Sequence, residues 1–387
     1  MRLVQLTTKN LLSATADNVY IMNLARSFNK IMGKDYRLVV AKKKLEQIPD
    51  VNTLSLELDF RSKIARIKFL LPYLYCFFWL PFYVKKNALD SKDTVIFTND
   101  PNFLLLIIWW RKMCNYQYKI CSDWHMLFGN FKDGYNARNS DFLITTSEKL
   151  KRQLIEKCGA DERKIKVVYG GVDLSNYSGG ENGNLKKGLG LPTDKILVGY
   201  VGFYKTIGMS KGIDTMIRTL PLLEGNIVMA FVGGWKHEID EYLEMARDMG
   251  VDKRCIFVEK VSVEMAAKYE MAMDILTIPY PDKPHFRDYG FPMKVYEYMA
   301  AGKPIVYSAL ELTEEVLHDC GFTFRPDDAV ALADKIKYII DKKNERVVKM
   351  SVETASKKVA GLTWEKKAGE IINLVNYAKS INNHPNL

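Results

Sequence analysis

Short apolar runs, each followed by a helix-length stretch of mixed polarity, recur along most of the chain. In the first half, Leu3–Leu6, Arg37–Val40, Thr94–Thr98, Lys119–Ser122, Phe142–Thr145 and Lys166–Tyr169 read as strands. Helical stretches such as Asp17–Ile31 and Glu148–Cys158 lie between them. A second series follows, with strands at Ile196–Val201, Ile227–Val232, Cys255–Val258, Ile275–Ile278 and Pro304–Tyr307. Its helices are Gly212–Leu220, Glu238–Met249, Val263–Met273 and Met293–Ala301, and a last helical stretch covers Trp364–Ile381. Strand–helix alternation of this kind predicts parallel α/β sheets. Between the two series, Ser175–Pro192 (SNYSGGENGNLKKGLGLP) is turn-rich and poor in apolar residues, and reads as a linker.

The pattern therefore predicts two Rossmann-like domains, doubly wound on parallel sheets and facing a central cleft, with ligands at the carboxyl ends of the strands. The boundaries read as residues 1–178, a linker over 179–192, a second domain over 193–363, and a C-terminal helix over 364–387 expected to pack back toward the first domain. A length of 387 residues, too great for one ordinary core, agrees with two domains. There is no internal repeat.

Composition narrows the class. A hydrophobic content of 48% and a charged content of 26% are those of a soluble globular protein. The six cysteines form no metal-ligand spacing and read as reduced thiols of a cytosolic protein, and the N-terminus lacks a signal-peptide pattern. The net charge of +10 is uneven: residues 1–190 hold 30 Lys and Arg against 18 Asp and Glu, the remainder 26 against 28. A basic first half suits an anionic partner or serves plain solubility. No nucleic-acid motif accompanies it. Phe69–Val84 (FLLPYLYCFFWLPFYV) is an aromatic-rich apolar run with basic flanks, too short to span a bilayer. It reads either as a core helix broken at Pro72 and Pro81 or as a segment docking at an anionic membrane surface.

Candidate chemistry collects in the loops of the second half. Gly202–Thr215 (GFYKTIGMSKGIDT) leaves a strand through a glycine and reaches a helix at Lys211, a natural anion site to which Lys205 could add charge. Gly233 and Gly234 permit either close ligand approach or a tight turn. Glu259, Lys260 and Val261 end a strand where a planar base could rest on the backbone. The loop Pro281–Gly290 carries Lys283, His285, Arg287 and Asp288, either solvated or ligand-bound. In YGFPMKVYEYMAAGKPIV, Lys294 and Glu297 share a helix face, as a surface ion pair or as a phosphate contact and a carboxylate for a vicinal diol. His125, in SDWHM, follows a strand and is either structural or a site residue.

In this order the segments resemble the retaining GT-B glycosyltransferases of glycosyltransferase family 4. The resemblance runs from about residue 90 to the C-terminus, through NSDFLITTSEKLKRQL, IKVVYGGVDLSNY, VGFYKTIGMSKGIDT, VSVEMAAKYEMAMDILTIPY and MKVYEYMAAGKPIVYS. It implies transfer of a sugar from a nucleotide-diphosphate sugar (UDP, GDP or ADP) to a hydroxyl acceptor, with retention, and without a metal or other cofactor. Glu297 matches the second glutamate of the family's E-x7-E motif and should hold the donor ribose, while Lys211 matches the lysine of the phosphate clamp. Phe203 and Tyr204 stand where the clamp arginine is usual, with Lys205 or Arg287 as substitutes. Tyr289 stands where the first glutamate is usual, with Asp288 beside it. Catalytic roles thus fall to His125, Lys211 and Asp288, and donor contacts to Gly202, Lys205, Lys211, Gly233, Glu259, Val261, Arg287, Gly290, Lys294 and Glu297. The same resemblance admits lipid-linked acceptors used at the cytoplasmic face of a membrane, in polysaccharide or lipid-linked glycan synthesis. A catalytically silent partner subunit, and less so a nucleotide-sugar epimerase of similar fold, are the competing readings.

Overall fold

The computed structural model describes residues 1–9, 11, 15–41, 50–56, 65–178, 182–289 and 293–383. The chain forms two compact units, residues 1–170 together with 364–387, and residues 171–363.

The first unit is built on parallel strands β1 (Arg2–Thr7), β2 (Tyr36–Val40), β3 (Thr53–Ser55), β4 (Thr94–Thr98), β5 (Lys119–Trp124), β6 (Phe142–Thr145) and β7 (Ile165–Val167), in the order β3-β2-β1-β4-β5-β6-β7. The order reverses between β1 and β4, which puts the usual ligand position of such sheets at their carboxyl ends. Helices α1 (Ala16–Met32), α2 (Ala65–Lys86), α3 (Pro101–Cys114), α4 (Phe131–Asn139) and α5 (Glu148–Cys158) connect them. Local chemistry sets the helix ends. Asp100 caps α3 by accepting from the backbone of Asn102 and Phe103, with Pro101 in the first turn. Ser147 caps α5, which stops at Gly159 in the left-handed conformation, φ 65°.

Helix α2 runs unbroken through Pro72 and Pro81, where the sequence suggests a break. A proline inside a helix strands the carbonyl four residues earlier. For Pro81 that carbonyl belongs to Phe77, and the Trp110 indole of α3 donates to it at 2.8 Å. The tertiary contact replaces the missing helical bond.

The second unit carries β8 (Ile196–Val201), the short antiparallel pair β9 (Lys205–Thr206) and β10 (Met209–Ser210), then β11 (Ile227–Gly234), β12 (Cys255–Glu259), β13 (Ile275–Ile278), β14 (Ile305–Ser308) and β15 (Phe322–Phe324). Its main sheet is parallel, in the order β12-β11-β8-β13-β14-β15. Around it lie α6 (Asn182–Gly188), α7 (Ile213–Thr219), α8 (Lys236–Asp248), α9 (Val263–Ala272), α10 (Pro284–Asp288), α11 (Lys294–Ala300), α12 (Glu311–Leu317), α13 (Ala329–Ile340) and α14 (Glu345–Val359). Helix α15 (Trp364–Asn383) belongs to the first unit, where it packs on α1. Every residue of β11 is buried, as a central strand of a covered parallel sheet requires.

Two stretches differ from the sequence reading. Most of the expected linker is part of the second unit: α6 packs on α9, and Lys186 is buried against Asp274 at 2.6 Å. Residues 281–289, expected as an open loop, contain α10, opened by Pro284.

Candidate functional site

The carboxyl ends of β8, β11, β12 and β13 bring together most of the second-unit residues picked out by the sequence. Gly202 leaves β8 at φ 138°, a conformation open to glycine. A Cβ there would run into the Lys294 ammonium, which reaches back from α11 and lies 5.5 Å from the centre of the Tyr200 ring. Gly233, at φ 112°, packs so tightly on Gly202 that a Cβ would come within 2.8 Å of its carbonyl. The two glycines thus let the backbones meet and leave Lys294 space over the β8 end.

Lys211 follows the β9–β10 hairpin, tied by its N–H to the Tyr204 carbonyl at 2.9 Å. Burial, and then the neighbouring charge of Lys294, push its ammonium down to about 7, against a smaller opposing pull from Glu238. Burial and the Lys211 charge also push His285 of α10 down. Among the described residues, neither Lys211 nor Lys294 has a carboxylate within ion-pair distance. Two neighbouring ammonium groups with no carboxylate at ion-pair distance among the described residues are an arrangement able to receive an anion. Since α7 has only seven residues, the charge rests on these side chains more than on a helix dipole.

The two residues suggested as substitutes for the clamp arginine are otherwise engaged. Lys205 pairs with Glu241 at 2.5 Å and lies over the Tyr242 ring. Arg287 faces Asp282 at 3.4 Å. Lys294 is the second cation beside Lys211. Nor does it pair with Glu297: no ion pair joins them among the described residues. Asp288 ends α10 and is half-buried. Gly290 lies outside the described residues.

Glu297 of α11 stands among groups the sequence did not mark. Glu270 of α9 is buried, and the Tyr177 hydroxyl donates to it at 2.7 Å. Burial, and then the Glu297 charge, push the Glu270 carboxyl well above the usual range. A neutral Glu270 relieves the repulsion two carboxylates would otherwise feel. The spacing in YEMAMD gave no signal of this, because the pairing joins residues 93 apart.

On the β11–β12 side, Glu259 and Lys260 are exposed and Val261 half-buried. Phe203 and Trp235 stack at 6.2 Å between centroids and 15° between planes, with the Lys260 ammonium 5.4 and 5.5 Å from the two rings. The phenylalanine in place of the clamp arginine is therefore half of an aromatic platform.

His125 lies in the first unit at the carboxyl end of β5. Its Nε2 is 3.2 Å from Asp123 Oδ2, and the Tyr20 hydroxyl donates to the same oxygen at 2.7 Å. The Tyr20 ring meets the imidazole edge-on, centroids 4.5 Å apart. Among the described residues, no cluster of three or more His, Cys, Asp or Glu is placed to hold a metal ion. No described helix is long and apolar enough to cross a membrane.

Two family models match in succession. The one described as Glycosyltransferase Family 4 covers residues 18–176, and the one described as Glycosyl transferases group 1 covers residues 195–342. The chain belongs to the family 4, group 1 glycosyltransferases. An uncharacterized glycosyltransferase of Methanocaldococcus jannaschii is 26% identical over 61% of this chain and 60% of its own. The D-inositol 3-phosphate glycosyltransferase of Mycolicibacterium smegmatis is 26% identical over 56% of this chain and 49% of its own. The chain thus spans about half to three fifths of the length of these relatives. Among solved structures, sucrose-phosphate synthase from Thermosynechococcus elongatus superposes with a TM-score of 0.77 at 18% identity, over 98% of this chain and all of that one. Anabaena HepE in complex with UDP gives 0.75 at 15%, over 97% and 100%. These structural likenesses establish the GT-B fold of this family 4 chain.

Proposed function

We propose that this family 4 protein is a retaining glycosyltransferase that moves a sugar from a nucleotide-diphosphate sugar to a hydroxyl acceptor. The observation that carries the reading is the pair Lys211 and Lys294 around Gly202, two ammonium groups without a carboxylate partner among the described residues. A diphosphate supplies the missing charge. Glu297, an acceptor-only carboxylate when ionised, takes the vicinal ribose hydroxyls. The base lies toward the Phe203–Trp235 platform and the backbone at Glu259–Val261, and Asp288 contacts the donor sugar. Anabaena HepE, of the same fold, has been solved with UDP, which supports such a donor.

In the reaction the bond from the anomeric carbon to the diphosphate breaks as the acceptor oxygen bonds the same face, through an oxocarbenium-like state. The acceptor proton passes to the departing phosphate oxygen. Negative charge develops on the diphosphate, and Lys211 and Lys294, fixed before the event, stabilise it there. In the first unit, His125 meets the acceptor or the transferred sugar. The outward face of α2 engages an anionic lipid surface, so the acceptors are lipid-linked and the reaction runs at the cytoplasmic face of a membrane.

Calorimetric titration with UDP, GDP and ADP tests the donor reading. One of the three should bind, Lys211→Ala should abolish binding, and Glu297→Gln should weaken the nucleotide by roughly tenfold while leaving inorganic pyrophosphate unaffected. Binding of none of them would sink the enzyme reading.

A further inference from the structure

Behind His125 lies a charge chain that the sequence-based site does not contain. The Asp123 side chain has no exposure to solvent, and it receives His125 Nε2 and the Tyr20 hydroxyl on one oxygen. Close enough for its charge to act on Asp123 is Lys367 of α15, 2% exposed, whose ammonium donates to the Val168 carbonyl at 2.6 Å and the Tyr169 carbonyl at 3.2 Å. The same ammonium lies over the Tyr20 ring at 5.4 Å. Burial pushes the Asp123 carboxyl up, but His125, Lys367 and Tyr20 together outweigh it and hold the group below its usual value. Burial pushes Lys367 down to about 8, with Asp123 and Glu370 opposing. Asp17 of α1, paired with Lys9 at 2.8 Å, is the other carboxylate that His125 feels.

Burying charged groups is a poor stabilising device, since desolvation cancels much of any attraction between them and apolar side chains of similar volume would serve the core as well. What this arrangement does secure is the orientation of one ring. A carboxylate accepts only, so the nitrogen it faces must carry a proton. The other nitrogen, Nδ1, has no hydrogen bond among the described residues.

We propose that Asp123 is a positioning residue which fixes the His125 imidazole with its proton on Nε2 and presents Nδ1 as a hydrogen-bond acceptor to a hydroxyl of the acceptor or transferred sugar, with Lys367 of the C-terminal helix as the counter-charge. This rests on the reading that His125 meets that hydroxyl. A helix 240 residues along the chain is thereby part of the acceptor apparatus, though it touches no substrate.

The test uses the full chain with nitrogen-15-labelled histidine, the His125 signals being assigned through His125→Gln. Wild type should show the Nε2-protonated tautomer. Asp123→Asn should move protonation toward Nδ1 and lower kcat by at least about tenfold, with the nucleoside diphosphate Kd within about twofold of wild type. Lys367→Met should act in the same direction, and Lys367→Arg should restore both readouts. If Asp123→Asn does not fold by circular dichroism, Tyr20→Phe, which removes one hydroxyl from the Asp123 oxygen, carries the same two measurements with a smaller change. An unaltered tautomer or an unaltered kcat in a folded variant overturns the proposal. Wild type that binds no nucleoside diphosphate defeats the donor reading instead, while the tautomer measurement still decides the hold of Asp123 on the ring.

Discussion

Lys211 carries a cost for folding which, on the proposed donor reading, is turned to binding. Its folded value of about 7 lies below the ordinary 10.5, so between these limits the folded chain binds fewer protons than the unfolded one. The cost of holding the ammonium is present in full below pH 7 and is lost as pH rises toward 10.5. Lys211→Met should therefore raise the Tm of the nucleotide-free protein at pH 6.5 by about 2–4 °C, the value of roughly 1 kcal/mol for a unit of this size after allowance for solvent screening. It should also destroy nucleoside diphosphate binding. In wild type, the diphosphate restores the proton: at pH 8 binding should take up roughly one proton, measured from titration heats in buffers of different ionisation enthalpy. Absence of uptake would mean that Lys211 does not face the diphosphate. Among the candidate residues, Lys211 and Glu297 were picked out by motif order and Lys294 by its helix spacing from Glu297. Glu270, Tyr177 and Lys367 were not, because their partners lie tens to hundreds of residues away and only folding makes them neighbours; Asp123 stands two residues from His125, but its burial and its Tyr20 partner, 103 residues away, were equally hidden.

At the scale of elements, α2 keeps both alternatives for Phe69–Val84 in view, one on each face. One face is core: Cys76, Leu80, Tyr83 and Val84 are buried. The other presents Leu70, Leu74, Phe78 and Phe82, spaced four apart, with Phe82 74% exposed and Phe78 61%. Trp109 and Met113 of α3 are further exposed apolar groups of this unit, and exposed Lys85 and Lys86 end the helix. An apolar stripe ending in cations suits an anionic bilayer surface. Co-sedimentation with phosphatidylglycerol vesicles should therefore occur and weaken with salt. The double variant Phe78→Glu/Phe82→Glu should reduce it by at least about tenfold, since each buried aromatic contributes about 1.5–3 kcal/mol; equal binding by the variant would refute a role for this face. Most strands were readable because buried β-strands are short apolar runs whatever surrounds them, but β3, β15 and the β9–β10 hairpin, only two or three residues per strand, were not read from the sequence. Helix α6 was not, since a polar, glycine-rich stretch is anchored here by an ion pair of the buried Lys186 with a half-buried aspartate 88 positions on. The continuity of α2 was hidden for the same reason, a tryptophan from another helix answering the carbonyl that Pro81 leaves unpaired.

For the whole molecule, the order of the chain matters more than the count of its sheets. The first unit begins the chain and, through α15, takes up its last stretch, while the second unit occupies one unbroken stretch between. At the ends of that stretch, Val172 bridges Thr363 in parallel, and the Val172 N–H donates to the Leu362 carbonyl at 3.1 Å. Adjacent strand backbones stand about 4.8 Å apart. The second unit is thus topologically an inserted cassette whose entry and exit are neighbours. Cutting it out leaves no long gap to span, and joining a new one needs no redesigned linker. Residues 171–363 produced alone should unfold cooperatively and bind the same nucleoside diphosphate as the full chain within about threefold. Failure to fold would show that the ends need the first unit to hold them together. Success would mean that nucleotide preference can be exchanged between proteins of this kind by grafting at two points a single strand spacing apart, without touching the acceptor side.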